Sequence, residues 1–247
     1  GMPANWYVQD NTGNNADWVI QAAGTLPNAD FTTGQTTIAS NSGGNCMLYY
    51  SDLYQSPMPP GGYYDVDAFF QTDGIQVNNF NGVSVDFQQS FRRCCANSPA
   101  PVTVLVASTD STFATNFQEY DIIGGIATND ASPDPMNMSI NISAIAAGYT
   151  GKIWLRFHIQ SGTEAYYWMI DDITVIESPT NDMVTQSPYY GFTPVGTFGF
   201  QYTRIPVSQI QPADFSMMVS NIGTADQTGT NLTVDISDGS SSIYSNS

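Results

Sequence analysis

Val83-Ser84-Val85-Asp86-Phe87-Gln88-Gln89-Ser90-Phe91 repeats with a period of two. Val83, Val85, Phe87, Gln89 and Phe91 share one face, while Ser84, Asp86, Gln88 and Ser90 share the other, the pattern of a β-strand. Lys152 to Ile159 repeats it, with Ile153, Leu155, Phe157 and Ile159 set to face a core and Trp154, Arg156 and His158 opposite. Val102 to Ser108 is a further strand, running into the turn-forming Ser108-Thr109-Asp110-Ser111-Thr112. Tyr166 to Glu177 is the longest, and Gly/Asn/Ser/Pro clusters separate the runs. Ile140 to Ala147 alone reads as a short helix. The spacing predicts an all-β chain.

Composition narrows what such a chain does. Across 247 residues, 22 Asp and Glu stand against 5 Lys and Arg, a formal net charge of -17. A nucleic-acid reader needs a basic footprint to displace counterions, and an anionic membrane surface repels this charge. Charged residues are 11% and aromatics 13% of the chain, so aromatic burial opposes disorder. No apolar run approaches the ~20 residues of a membrane span. Gly1-Met2 reads as an expression scar, so a trimmed leader is expected. These features describe an acidic, exported protein.

Cys46, Cys94 and Cys95 are the cysteines. Adjacent cysteines rarely pair with each other, so a bridge from Cys46 to Cys94 or Cys95 is expected, with three buried thiols as the alternative. One distant Cys, one Cys-Cys pair and a single His do not match zinc spacing.

Ser178-Pro179-Thr180-Asn181-Asp182 reads as a linker dividing residues 1–178 from residues 185–247. The second part holds strand candidates at Phe198 to Arg204, Asp214 to Ser220 and Asn231 to Ile236, and is expected to be a small or truncated immunoglobulin-like sandwich.

Four segments carry a family resemblance: Leu48-Tyr49-Tyr50-Ser51-Asp52, Val85 to Arg92, Val104 to Asp110, and Leu155 to His158 with Tyr167-Trp168-Met169-Ile170-Asp171-Asp172. In this order they resemble the jelly-roll modules of secreted bacterial surface proteins, the gingipain-type cleaved adhesin domains and related MAM-like domains of type IX-secreted proteins. The tail, with Ser220-Asn221-Ile222-Gly223-Thr224-Ala225-Asp226-Gln227-Thr228, resembles the Ig-like domain that often follows. The resemblance implies a jelly-roll β-sandwich (concanavalin-like) followed by an Ig-like unit, and a place outside the cell, secreted or on the bacterial surface. It implies no ligand, since one fold hosts many functions.

Two sites are expected on this scaffold. Ca²⁺ takes six to eight oxygen ligands. The resemblance assigns it to the Asp171-Asp172 pair, together with acidic and Asn residues of the N-terminal half, for which Asp10, Asp17, Asn41 and Asp52 are the candidates. Neighbouring residues on a strand face opposite sides, so one carboxylate of the pair is expected to reach the ion directly. The alternative is that Asp52 and Asp110 cap turns and Asp171 binds a loop. The second site is the outward face bearing Trp154, Arg156 and His158, which Tyr166, Trp168, Asp86 and Gln88 join if their strands are neighbours. Aromatics with Arg, Asp and Gln make up a sugar-binding surface. In the alternative these side chains seal the core edge and brace loops.

Enzymatic readings lack their motifs. His158 has no G-x-S-x-G elbow to serve, and Glu119, Glu164 and Glu177 are scattered. The expectation is a calcium-stabilised, monomeric adhesion or carbohydrate-binding module whose partner is a glycan or a host matrix protein. Two alternatives are the accessory region of a secreted protease or glycosidase, and a glycosidase using Asp residues.

Overall fold

A computed structural model describes residues 2–60, 62–94, 102–122, 125–161, 166–192, 213–237 and 240–246. The chain divides into two units, Gly1–Ser178 and Pro179–Ser247.

The first unit is an antiparallel β-sandwich. One sheet is built from β1 (Tyr7–Asp10), β4 (Val66–Gln71), β10 (Thr150–Ser161), β7 (Val102–Ser108) and β8 (Phe117–Asp121), in that order, with β5 (Ile75–Asn78) also pairing with β10. The other is built from β2 (Val19–Gln21), β3 (Cys46–Tyr49), β11 (Tyr167–Glu177), β6 (Val83–Arg92) and β9 (Met136–Asn141). Two single-turn helices, α1 (Ser51–Tyr54) and α2 (Ser143–Ala146), lie in the connections.

The alternating pattern sends one face of each sheet into a shared core. Phe70 of β4 and Phe157 of β10 stack at 4.8 Å, and Phe157 meets Phe87 of the opposite sheet edge-on at 5.1 Å. Trp18 bridges the layers, 4.9 Å from Phe70 and 5.0 Å from Trp168. Leu105, Leu155, Val85 and Ile170 fill the space between these rings.

A second, smaller core lies on the outer side of the β3–β11–β6 sheet. Met47 and Tyr49 of β3 point into the sandwich, whereas Cys46 and Leu48 point away from it and are covered by Leu26, Ala29 and Ile38 of the 22–45 segment. That segment has no strand of its own; its backbone bonds partly to itself, as Leu26 N–H to the Gln35 carbonyl and Thr37 N–H to the Gly24 carbonyl, and partly to side chains beneath it. Phe31 N–H donates to Asp52 at 3.1 Å, Ala39 N–H to Asp134 at 3.1 Å and Asn41 N–H to Gln88 at 2.7 Å.

The cysteines correct the expected bridge. Cys46 is a free, buried thiol, Cys94 is disulfide-bonded, and Cys95 lies outside the described residues. Burial, then the charge of Asp171, pushes the Cys46 thiol up to about 11. At pH 8 its thiolate is therefore on the order of 100-fold scarcer than that of an exposed cysteine. Iodoacetamide at pH 8 is expected to leave Cys46 unmodified in the native protein and to label it on unfolding, as mass spectrometry would read directly. Equal labelling rates in both states would contradict the burial.

The second unit contains two antiparallel hairpin sheets, β12 (Met183–Phe192) with β13 (Ala213–Asn221) and β14 (Val234–Ser237) with β15 (Ser242–Asn246). Gly223 sits where an added Cβ would come within 2.6 Å of the Asp182 backbone nitrogen, so this turn admits glycine alone. The strand expected at Phe198 to Arg204 lies outside the described residues.

Candidate functional site

The outward face of the β1–β4–β10–β7 sheet gathers the polar and aromatic side chains that strand alternation points away from the sandwich core, of which Phe69 and Gln71 are buried beneath their neighbours. Along β10, Ile153, Leu155, Phe157 and Ile159 are buried, and Trp154, Arg156 and His158 are half-exposed on the opposite side. The register places Arg156 opposite Gln71 and His158 opposite Phe69, both on β4.

Arg156 is held in one orientation. Its guanidinium carbon lies 4.3 Å from the Phe69 ring centroid and 4.0 Å from that of Phe113. Nε donates to Gln71 Oε1 at 2.7 Å, and Nη2 lies 3.3 Å from the Tyr7 hydroxyl. Tyr7 in turn donates to the same Gln71 oxygen at 2.8 Å, while the Gln71 amide donates to the Ser111 carbonyl. A cation between two rings with a fixed donor fork is pre-organised for recognition.

Phe113 reaches Arg156 because the 110–115 loop is wound tightly round one carboxylate. Asp110 Oδ1 accepts the backbone and hydroxyl of Thr112, and Oδ2 accepts those of Thr115. Bonds from Thr112 chiefly hold the Asp110 carboxyl down at about 2, so the turn persists at every ordinary pH. Phe113 itself adopts a left-handed backbone, φ 58°, an unfavourable state for a bulky residue that the surrounding turn enforces.

His158 Nε2 lies 2.7 Å from Asp67 Oδ1, and both side chains are about a quarter exposed. Asn11 Nδ2 donates to the same Asp67 oxygen at 2.7 Å. Tyr7 and Phe117 stand open to solvent on this sheet, at 40% and 47% exposure. Trp154 leans against Val104, Val106 and Phe113, in space left by Gly74, where an added Cβ would come within 3.0 Å of the indole.

Four expected members do not belong to this face: β6 and β11 pair with each other in the opposite sheet, and Tyr166 immediately precedes β11. Trp168 is fully buried in the central core, donating its indole N–H to Gln89 Oε1 at 2.9 Å. Asp86 accepts the Ser139 hydroxyl, and the Gln88 amide donates to Asn137, both on the outer side of that other sheet. Tyr166 lies in the second core, beneath the Arg92 guanidinium.

The Asp171-Asp172 pair also departs from simple alternation. The register of β11 against β6 shifts between Asp171 and Thr174, and Asp172 takes a left-handed backbone, φ 54°. Such a bulge turns neighbouring residues toward one side. Both carboxylates accordingly bind the 40–42 loop: Asp171 Oδ2 accepts the Ser40 hydroxyl at 2.5 Å, and Asp172 Oδ2 accepts Ser42 N–H at 3.1 Å. Between them, Asn41 donates its N–H to Gln88 Oε1 and to neither carboxylate. Asp52 is buried elsewhere, on α1, where it holds Phe31.

Asp10 and Asp17 sit at the N-terminal turn. Asp10 accepts Thr12 N–H and hydroxyl at 2.8 and 2.6 Å and Ala16 N–H at 3.4 Å. Burial pulls its carboxyl upward, but the Thr12 and Ala16 bonds outweigh it and leave the pKa low. Asp17 is pushed up by burial, then by the Asp10 charge, and its Oδ1 is buried with no hydrogen-bond partner. The buried Tyr49 hydroxyl, unpartnered as well, has its pKa raised by burial and by the nearby Tyr54 and Asp10. Among the described residues no three His, Cys, Asp or Glu converge as a metal-holding group. The orphaned Asp17 oxygen, on a carboxyl that feels the Asp10 charge, is the feature that fits a hard cation.

Sequence reasoning missed Tyr7, Asp67, Phe69, Gln71 and Phe113. The signal for three of them was present in Asp67-Ala68-Phe69-Phe70-Gln71, whose odd-numbered members point outward opposite buried Ala68 and Phe70.

No family model matches the chain, and no curated protein does. Similar solved structures include the K1 cleaved adhesin domain of Lys-gingipain from Porphyromonas gingivalis W83, at 20% identity and a TM-score of 0.44, covering 71% of this chain and 92% of that one. The K3 cleaved adhesin domain of the same protein aligns at 17% identity and TM-score 0.42, covering 71% and 93%. TmCBM61, solved in complex with β-1,4-galactotriose, aligns at 11% identity and TM-score 0.40, covering 70% and 89%. At such identities one protein's ligand says nothing about another's.

Proposed function

We propose that the first unit is an extracellular binding module that holds a neutral glycan on the outward face of the β1–β4–β10–β7 sheet, without turnover. The observation that carries this reading is Arg156, clamped between Phe69 and Phe113 by Gln71 and Tyr7. The surrounding face suits a sugar: the exposed rings of Tyr7 and Phe117 for apolar pyranose faces, and Asp67, His158 and Asn11 as hydroxyl partners. The ligand is uncharged because a chain of net charge -17 repels polyanionic glycans at long range. Calorimetry against neutral plant, microbial and host oligosaccharides, with product analysis after incubation, tests this. Saturable binding with the oligosaccharide recovered intact is expected; hydrolysis of the ligand, or no binding to any neutral glycan, contradicts it.

Calcium is the second element of the proposal, as a structural ion held by Asp10 and Asp17. The ion neutralises two like charges and supplies the partner that Asp17 Oδ1 lacks. Chelation at matched ionic strength is expected to lower the melting temperature, and added Ca²⁺ to restore it. The response disappears in Asp17→Asn and persists in Asp172→Asn. A melt indifferent to chelator removes the ion from the account and leaves the glycan face untouched.

A further inference from the structure

A cleft of ≈ 210 Å³ opens beside the β11 bulge, away from the 110–115 loop and the Arg156 face. Trp6, Ile20, Met47, Ile170 and Ile173 form an apolar wall, and Asn45, Asp171 and Asp172 supply its polar groups. We propose that this cleft binds an alkylammonium group, an aliphatic chain ending in a primary amine.

Three observations converge on that chemistry. The volume gives room for a short aliphatic chain. The wall is apolar with one aromatic member: Trp6 stacks on Phe70 at 5.7 Å, which fixes its ring as a surface for an alkyl chain or a cation. The two carboxylates stand together because of the left-handed Asp172 at the bulge, and among the described residues no lysine or arginine pairs with either. Each uses one oxygen on the 40–42 loop, Asp171 accepts Asp172 N–H with its other, and among the described residues no donor reaches Asp172 Oδ1. An ammonium group donates up to three hydrogen bonds, for which the Asp171 and Asp172 carboxylates at the cleft are acceptors, with Asn45 also in the lining. The CaCl₂ arm of the test separates an ammonium from a divalent cation, which would also take carboxylate oxygens.

The test titrates the full chain with n-butylammonium chloride and follows the Trp6 indole N–H by nuclear magnetic resonance. n-Butanol serves as the uncharged isostere, CaCl₂ as the metal arm, and Nα-acetyl-lysine methylamide as the peptide-borne source. A saturable shift with butylammonium is expected, weakened at least about tenfold in Asp171→Asn/Asp172→Asn, whose amide oxygens still accept Ser40 and Ser42. Equal binding of acetyl-lysine methylamide assigns the site to a protein lysine; binding of butylammonium alone assigns it to a free amine. Butanol binding as tightly as butylammonium, Ca²⁺ saturating the same resonances at lower concentration, or no saturable shift overturns the proposal. The wild-type comparison of butylammonium with butanol decides the matter even where the double variant fails to fold.

Discussion

Replacing Trp168 by Ala is expected to lower the unfolding free energy by at least about 4 kcal/mol. The side chain is fully buried between Trp18, Phe91 and Phe157, in contact with both layers of the sandwich. Large aromatic-to-alanine changes in packed cores cost about 3–5 kcal/mol through lost transfer energy and the cavity left behind. A second cost follows from the indole N–H, which is the donor for buried Gln89 Oε1, while Gln89 Nε2 donates to the Ile122 carbonyl. Stranding a buried acceptor adds about 1–3 kcal/mol. Domains of this kind have about 5–15 kcal/mol in total, so the variant stands near the folding threshold. Urea unfolding checks the number: the midpoint should fall sharply with the m-value unchanged. Trp154→Ala, at a half-exposed position, should cost less than half as much, and equal losses would contradict the assignment of the two faces.

Arg156→Ala is expected to weaken glycan affinity by about 10- to 100-fold, the range for losing a charge-assisted hydrogen bond or two. Arg156→Lys restores little of it, because a point charge cannot reproduce the planar contact with Phe69 and Phe113. The control is Asp86→Asn on the opposite sheet, which leaves affinity unchanged. Among the described residues its carboxylate accepts the Ser139 hydroxyl alone, and the amide oxygen of the variant still accepts that bond. Calorimetric titration separates these outcomes, with a circular-dichroism melt confirming that each variant is folded. A fall in affinity in Asp86→Asn equal to that in Arg156→Ala would remove the ligand from the first sheet.

Period-two patterning carries information about parity within a strand and none about which strands become neighbours. It therefore set Trp154, Arg156 and His158 on one face correctly. It was silent on Tyr7 and Gln71, which arrive from β1 and β4 through the order β1-β4-β10, a property of the closed sandwich. The same silence allowed Trp168, Asp86 and Gln88 to be grouped with a face on the other layer. Parity fails outright at Asp171-Asp172, where a bulge and a left-handed residue cancel the alternation that a regular strand would impose. Cys46 escaped for a related reason. Its position on β3 sends it beneath the 22–45 segment, and the covering of that face by a strandless loop leaves no periodic signal.

Several carboxylates in this chain act as acceptors for loop backbone. Asp52, Asp110, Asp134 and Asp172 each take amide N–H groups of segments that have no strand ladder. An acidic composition with few lysines thus has a structural use: long connections between strands expose donors, and short acidic side chains at the strand ends satisfy them.

The most direct measurement is a spectrum of the isotopically labelled first unit and tail together, recorded with and without a bound neutral oligosaccharide. The account predicts that resonances of Tyr7, Gln71, Phe113, Trp154, Arg156 and His158 move in concert and saturably, while those of Asp86, Gln88 and Ser139 stay still. Movement confined to the β6–β9 side, or no movement with any neutral glycan, would contradict it.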